Sequence, residues 1–494
     1  MRLATDCGAE ADERAVSATG QPLGLLAFEV LDSASGLPLP ARLTFFHADG
    51  RSARPTVGRF KNTLPSPPGR QTRAIPIGRY HVYVSRGPEY TLDRHEVDVM
   101  EGKTARLAAT LSRVVDTGGF ISSDYHLHLQ QNLCDGVAVA AAEGLDLFTA
   151  LHVDAPEIAV HLDGHVSELG LASFMATMAG MEVGTGFGHF SVFPMTSLDG
   201  NRDRNALLAT RTPAHMLRLM RGGPDNVIAQ INHPRHGPSN KGYFNGRLDP
   251  RSGEVLSEDF ELAFDQTEVF NALTDGVRSV DSVRPGDLDW EGYIGRTREV
   301  DQNLKDWFRF LNRRVMIPGV GTTDVIVNRE YESGPLPRHY PYLLPGYPRT
   351  YVHSEIDTPV ELVSASIVDS LRRRASSSSC GPFVRFTADD GVPVGSVVTA
   401  ADRPVTLHIS VEAPPWIPVD RVEVVSNGAV LHDFAVGDRT TQVRFQKDVA
   451  VRPARDAWYL VIASSNRGWE PPFERYRSFS FTNPIFVDVD GNGV

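Results

Sequence analysis

The sequence predicts a multidomain chain: a central α/β domain, a distorted TIM-like barrel, flanked by an N-terminal and a C-terminal β-sandwich. Three observations predict it. Between Phe120 and about Ser370, short apolar runs alternate with amphipathic helical patterns. On either side the signals are short alternating runs separated by Gly, Pro and Ser. A chain of 494 residues also exceeds what one hydrophobic core serves. The expected division is a disordered lead at 1–20, β-sandwiches at 21–116 and 376–494, and the α/β domain at 117–375.

In the first sandwich, Leu25-Leu26-Ala27-Phe28-Glu29-Val30 and Ala41-Arg42-Leu43-Thr44-Phe45-Phe46 flank a turn-rich loop. Arg79 to Val84 alternates in the same way, and Pro65 to Pro68 marks a long polar loop. In the central domain, Thr212-Pro213 supplies an N-cap and an N1 proline for a helix carrying Met216, Leu219 and Met220. A second helix places Leu304, Trp307, Phe308 and Leu311 on one face. A third is expected to start at Thr358-Pro359-Val360-Glu361 and to bury Val360, Val363, Ile367 and Leu371. Ser376 to Ser379 reads as a linker to the last region. There, Pro404 to Ile409, Arg421 to Val425, Trp458 to Ile462 and Phe479 to Phe481 return to short β runs.

Composition narrows the partners. A formal net charge of -12, with no concentrated basic run, argues against nucleic acid and anionic membranes. No apolar run approaches the roughly 18 residues of a membrane span. Met1 to Gly20 has no apolar signal core, so the expected location is cytoplasmic, or exported if a leader was trimmed. The three cysteines, Cys7, Cys134 and Cys380, show neither metal-ligand spacing nor a disulfide framework.

The chemistry gathers at strand ends. In Ser123-Asp124-Tyr125-His126-Leu127-His128 the period of two puts both imidazoles on one face and Leu127 on the other. Alone, that pair suits a metal ion or an ordinary polar sheet face equally. Further strand ends carry similar groups: His152 and Asp154, Glu182 with Gly188-His189-Phe190, Asn232-His233-Pro234-Arg235, Glu268 to Asn271, and Thr322-Thr323-Asp324. Imidazoles and carboxylates at consecutive strand ends are the donors a multinuclear metal site requires. Asp135 and Asp154 are candidates to orient a liganding imidazole. His161 and His165 share a helical face, where a surface position is expected. Arg235 could hold a substrate phosphate or carboxylate, or close a structural ion pair at the barrel rim.

Asp124-Tyr125-His126-Leu127-His128, Gly144-Leu145-Asp146-Leu147-Phe148, Gly180-Met181-Glu182 with Gly188-His189-Phe190, His233-Pro234-Arg235 and the Asp324 loop occur in one order. In that order the chain resembles the PHP (polymerase and histidinol phosphatase) superfamily, and within it the CehA/McbA-type metallohydrolase branch. The resemblance is strongest over 118–330. It implies metal ligation by His126, His128, Glu182, His189, His233 and Asp324, with Glu182 as the bridge. Two positions depart from the pattern: Val153 and Ile326 stand where the family has histidine. The resemblance therefore implies one or two divalent transition-metal ions (Zn, Mn or Fe) rather than three. His152, one place before Val153, is a replacement ligand, an acid/base group, or a histidine with no direct role.

The implied activity is that of a metal-dependent hydrolase. A metal-bound hydroxide would attack an ester, amide or carbamate bond of a small molecule, with His189 or His152 protonating the leaving group. The alternatives are a phosphoesterase of the same superfamily and a catalytically degenerate binding or structural protein. Asp488-Val489-Asp490-Gly491-Asn492-Gly493 matches the start of a calcium loop but lacks its closing glutamate. A tight turn is expected there, with calcium at Asp488, Asp490 and Asn492 as the alternative.

Overall fold

The computed structural model describes residues 22–51, 53, 62–129, 133–151, 155–195, 203–223, 226–272, 298–326, 344–356, 358–401, 403–437, 440–474 and 476–493. The lead at 1–20 lies outside them. The first seven strands are β1 (Leu23–Asp32), β2 (Ala41–His47), β3 (Thr63–Ser66), β4 (Gln71–Pro76), β5 (Gly78–Ser85), β6 (Asp93–Val99) and β7 (Thr104–Leu111). They form two sheets, ordered β4-β1-β7 and β3-β2-β5-β6, over one core. Alternation in β1 is what fills that core: Leu26, Phe28 and Val30 point inward and are at most 2% exposed. The expected Pro65–Pro68 loop begins inside β3. Pro65 is tolerated there because β3 is an edge strand.

The central strands are β8 (Phe120–His128), β9 (Leu147–Leu151), β10 (Ala176–Thr185), β11 (Gly188–Phe193), β12 (Ile228–Ile231), β13 (Gln266–Asn271), β14 (Gly319–Thr322), β15 (Val325–Ile326), β16 (Arg349–His353) and β17 (Ser376–Cys380). They overturn the expected TIM-like α/β barrel. The molecule is mostly β, 43% strand against 14% helix, and its main sheet is a curled half-barrel. A TIM barrel needs a helical crossover after every strand to keep the strands parallel. Here β10 turns back through Gly186 into β11, so β11 runs antiparallel to both of its neighbours, β10 and β12. Parallel pairing joins β8-β9-β10 on one side and β12-β13-β14 on the other. The sheet curls far enough that β15, two residues beyond β14, pairs with β8 at Val325↔Leu127 and Ile326↔His128. Curvature, not a βα repeat, gathers the strand ends.

The helices are α1 (Leu133–Ala142), α2 (Ala155–Glu168), α3 (Arg204–Leu208), α4 (Pro213–Arg221), α5 (Arg298–Asn312) and α6 (Ser364–Arg372). Thr212 caps α4 by accepting from the His215 amide, and Met216, Leu217 and Met220 pack inward. On α5, Leu304, Trp307, Phe308 and Leu311 are all buried, as their spacing requires. The helix expected from Thr358 starts later, at Ser364, after a separate 3-10 turn at Pro359–Glu361. Leu362 and Val363 are extended, so Val360 and Val363 are exposed while Ile367 and Leu371 are buried.

The serine run is not a linker. Ser376–Cys380 is buried strand β17, hydrogen-bonded between β16 and the strand Phe479–Thr482. Its small side chains suit a close layer: a Cβ placed on Gly321 would lie 3.1 Å from Ser378 Cβ. Through β17 the central sheet continues into strands Ala457–Ser464, Arg421–Ser426 and Ala429–Ala435. One face of that extension packs on α5 through Trp307, Trp458 and Phe481. The other shares a core with a four-stranded sheet built on Phe383–Ala388, Val405–Glu412 and Val443–Val451.

Glu423 sits within this extension, fully buried, with Arg421 Nη2 3.0 Å away. Burial outweighs Arg421 and pushes its carboxyl up to about 7. An acid raised in the fold favours its neutral form there. Its contribution is present below the ordinary carboxyl range and is lost as pH rises through about 7. Glu423→Gln is therefore expected to raise the melting temperature at pH 8, by an amount reflecting on the order of 2 kcal/mol, and to leave it nearly unchanged at pH 4. Equal effects at both pH values in calorimetry would count against this assignment.

Candidate metal centre

β8 sets the geometry. Asp124, His126 and His128 share its inner face, while Leu127 is buried on the other side among Val137, Phe148 and Ala150. His126 is fully buried. Its Nε2 faces His128 Nε2 at 3.2 Å, Asp324 Oδ1 at 3.2 Å and Glu182 Oε1 at 3.4 Å. His128 Nε2 reaches Asp324 Oδ1 at 3.2 Å and Glu182 Oε2 at 3.3 Å.

Glu182 enters from β10, His189 from β11 and His233 from the end of β12. Glu182 Oε1 lies 3.1 Å from His189 Nδ1 and 3.5 Å from His233 Nε2, which is itself 3.7 Å from Asp324 Oδ2. Six side chains named from the sequence thus converge: His126, His128, Glu182, His189, His233 and Asp324. Three overlapping sets of donors within them could hold a metal ion: His126, His233 and Asp324; His126, His128 and Glu182; and Glu182, His189 and His233. The first set is sealed in the interior. His128, Glu182 and His189 keep 21%, 16% and 26% of their side chains exposed, and so form the open side.

The electrostatics suit a cation. Burial opposes charge on His126, yet the Asp324, Glu268 and Glu182 carboxylates outweigh it and hold its pKa well above the usual imidazole range. The same contest puts His128 at about 9 and raises His233. Despite burial, the facing imidazoles hold Glu182 well below, and Asp324 below, the carboxylate range. A pocket this rich in carboxylate stabilises positive charge, whether carried by protons or by a metal ion.

Two of the donors sit on unusual backbone. His233 has φ 29° and Asp324 φ 54°, left-handed values that cost a non-glycine residue of order 1 kcal/mol or more. Buried carboxylates hold both places. Asp124 accepts from Thr323 N at 3.2 Å, Thr323 Oγ1 at 2.5 Å and Gly346 N at 3.0 Å, fastening the turn that presents Asp324. Glu268 accepts the His233 amide at 2.6 Å.

Other sequence candidates fall elsewhere. Arg235 is buried and committed: Nε donates to Asp306 Oδ2 at 2.6 Å, and Nη1 donates to the Phe244 and Leu248 carbonyls at 3.1 Å. Of its two readings, the geometry is that of the structural ion pair. Asp146 accepts from Ser122 N and Oγ and ties β8 to β9 at the end away from the centre. His165, expected on the surface, is 3% exposed on α2, with Nδ1 3.5 Å from Glu168 Oε2. Asp135 lies in the first turn of α1, whereas His152, Val153 and Asp154 lie outside the described residues. Asp488 and Asp490 bring oxygens near Asp456. The Gly491 and Gly493 amides donate to Asp488, and Asn492 donates its own amide to Asp490, which is the pattern of a tight turn.

Sequence reasoning named Glu268 as a strand-end group but not its role. It lies behind His126, not beside it, with Oε1 2.6 Å from His126 Nδ1. Asn232 stood only in the strand-end run before His233, and neither it nor Gln230 was given a role. Asn232 Nδ2 donates to Glu182 Oε1 at 3.0 Å, and Gln230 Nε2 donates to both Asn232 Oδ1 and Glu268 Oε1 at 3.0 Å. The available signal was polar residues alternating inward on short, otherwise apolar strands, Gln230 and Asn232 on one and Gln266 and Glu268 on the next.

No protein-family model matches the chain, and no curated protein matches it. Among solved structures, an engineered protein is similar at 10% identity over 72% of this chain and 52% of its own, with a TM-score of 0.18. Bacteroides uniformis β-glucuronidase 3 is similar at 9% identity over 95% of this chain and 63% of its own, with a TM-score of 0.19. A Parabacteroides merdae β-glucuronidase is similar at 9% identity over 91% and 60%, also with a TM-score of 0.19. The chain thus spans 52–63% of the length of these proteins, and likenesses so slight carry no argument about chemistry.

Proposed function

We propose that the chain is a metal-dependent hydrolase acting on an ester, amide or carbamate bond of a small molecule. The observation that carries this reading is the convergence of four imidazoles and two carboxylates on one pocket with an open side. The order of those residues, which resembles that of the PHP superfamily and its CehA/McbA branch, supports it as well. Two of the donor sets, His126-His128-Glu182 and Glu182-His189-His233, have only Glu182 in common, so two ions could each find three donors with that carboxylate shared. One or two Zn, Mn or Fe ions, with Glu182 between them, is the occupancy we propose.

When bound, such an ion supplies Lewis acidity, polarising a carbonyl and bringing the pKa of water toward neutrality. The chain's own groups divide the remaining work. His126, His233 and Asp324 form the sealed floor, and His128 and Glu182 face the opening. His189, the most exposed of the six, is placed to pass a proton to a leaving group if it is not itself a ligand. The commitment of Arg235 to Asp306 favours carboxylic and carbamic substrates over phosphoesters, because the guanidinium that could have clamped a phosphate is already engaged.

Metal analysis of the purified chain tests the reading, followed by a panel of p-nitrophenyl esters, carbamates and phosphates. We expect one to two equivalents of transition metal, a melting temperature that rises with added Zn²⁺ or Mn²⁺, and turnover of esters or carbamates above phosphates. Less than one equivalent, with no binding or stabilisation by either ion, would leave the degenerate-protein reading standing instead.

A further inference from the structure

We infer that Glu268 is a positioning residue for this centre, fixing the ring of His126 and the backbone of His233 at once; the inference rests on the metal reading above. Glu268 is fully buried on β13. Five donors surround its carboxylate. Oε1 receives His126 Nδ1 at 2.6 Å, Thr322 Oγ1 at 2.7 Å and Gln230 Nε2 at 3.0 Å. Oε2 receives the His233 amide at 2.6 Å and Asn271 Nδ2 at 2.8 Å.

Only an acceptor-only group satisfies all five. His126 must then carry its proton on Nδ1. In the neutral, metal-binding form of His126 this leaves the Nε2 lone pair aimed at the space shared with His128, Glu182 and Asp324. The same carboxylate holds the peptide that enters the left-handed turn at His233. It also reaches the opposite ligand, because Gln230 donates to Glu268 and to Asn232, and Asn232 donates to Glu182. One buried anion therefore sets the tautomer of one ligand, the backbone of a second and, through two amides, the orientation of a third. A glutamine would have the right shape and the wrong chemistry: its NH₂ would have to face at least two of the donors.

The test is Co²⁺ binding by the full chain, wild type against Glu268→Gln and Glu268→Asp, read as affinity by chelator competition and as the visible Co²⁺ spectrum. We expect Glu268→Gln to bind about 10- to 100-fold more weakly with altered bands, and Glu268→Asp, which keeps the charge, to recover part of both. A folded Glu268→Gln with wild-type affinity and spectrum overturns the inference while leaving the metal reading intact. If circular dichroism shows that Glu268→Gln does not fold, Thr322→Val removes a single donor from the same oxygen. A weaker affinity in the same direction then supports the inference, and wild-type affinity overturns it. Wild-type protein that takes up no Co²⁺ overturns the metal reading, and this inference with it.

Discussion

A chain carrying His126→Ala together with His128→Ala is expected to take up no transition metal and to lose at least about 10³ in kcat/KM on any ester the wild type turns over, some 4 kcal/mol of transition-state stabilisation. His126 belongs to two of the three donor sets, and His128 contributes the exposed nitrogen nearest to it. Without them, Asp324 loses the two imidazoles nearest its oxygens and Glu182 loses two of its four, leaving two carboxylates less compensated in one buried pocket. The fold should survive: β8 is held by Tyr125 and Leu127, which pack into apolar clusters away from the pocket, and the sandwich cores contain neither histidine. Inductively coupled plasma analysis alongside circular dichroism checks both halves. Stoichiometric metal retained by the folded double variant would show that the ion lies elsewhere.

Asp306→Ala should produce the largest loss of stability. The Asp306 carboxylate pairs with Arg235 at 2.6 Å and Arg309 at 3.0 Å, and it is 1% exposed. Removing it strands the Arg235 guanidinium in the interior, and an uncompensated buried charge costs about 3–5 kcal/mol. For a chain of 494 residues unfolding as one unit that corresponds to a melting temperature lower by roughly 3–5 °C. Replacing Arg235 and Asp306 together by leucine should recover most of the loss, since no charge is then left buried. The experiment also decides what Arg235 is for. If it served substrate, Arg235→Ala would lower kcat/KM with little change in melting temperature. As half of a buried pair, it should do the reverse.

How far such residues can be read from sequence depends on the reach of the interaction concerned. His126 and His128 were legible because a strand's period of two is local: wherever the strand goes, both rings share its face. The buried faces of β1, α4 and α5 were legible for the same reason, as was the tight turn closing the chain at Asp488. The serine run misled because composition favours a linker, whereas a small-residue strand is what close packing against Gly321 demands. The barrel expectation failed where strands run antiparallel: at the β10–β11 hairpin, where a two-residue turn reverses a strand that the βα pattern would have kept parallel, and at β16, which runs antiparallel to β8.

By itself, then, the sequence determined the two β-rich flanks, the faces of individual elements, and the donors offered at successive strand ends, since each follows from local periodicity and side-chain chemistry. Only the tertiary structure decided that a curled mixed sheet brings six of those donors together. It also decided that Arg235 is spent on Asp306, and that Glu268 stands behind the ligands while Glu182 stands among them. Those outcomes depend on contacts between residues tens to hundreds of positions apart, such as His126 with Glu268 and Asp124 with Thr323. Curvature and pairing across the whole sheet set such distances, and no local pattern encodes them.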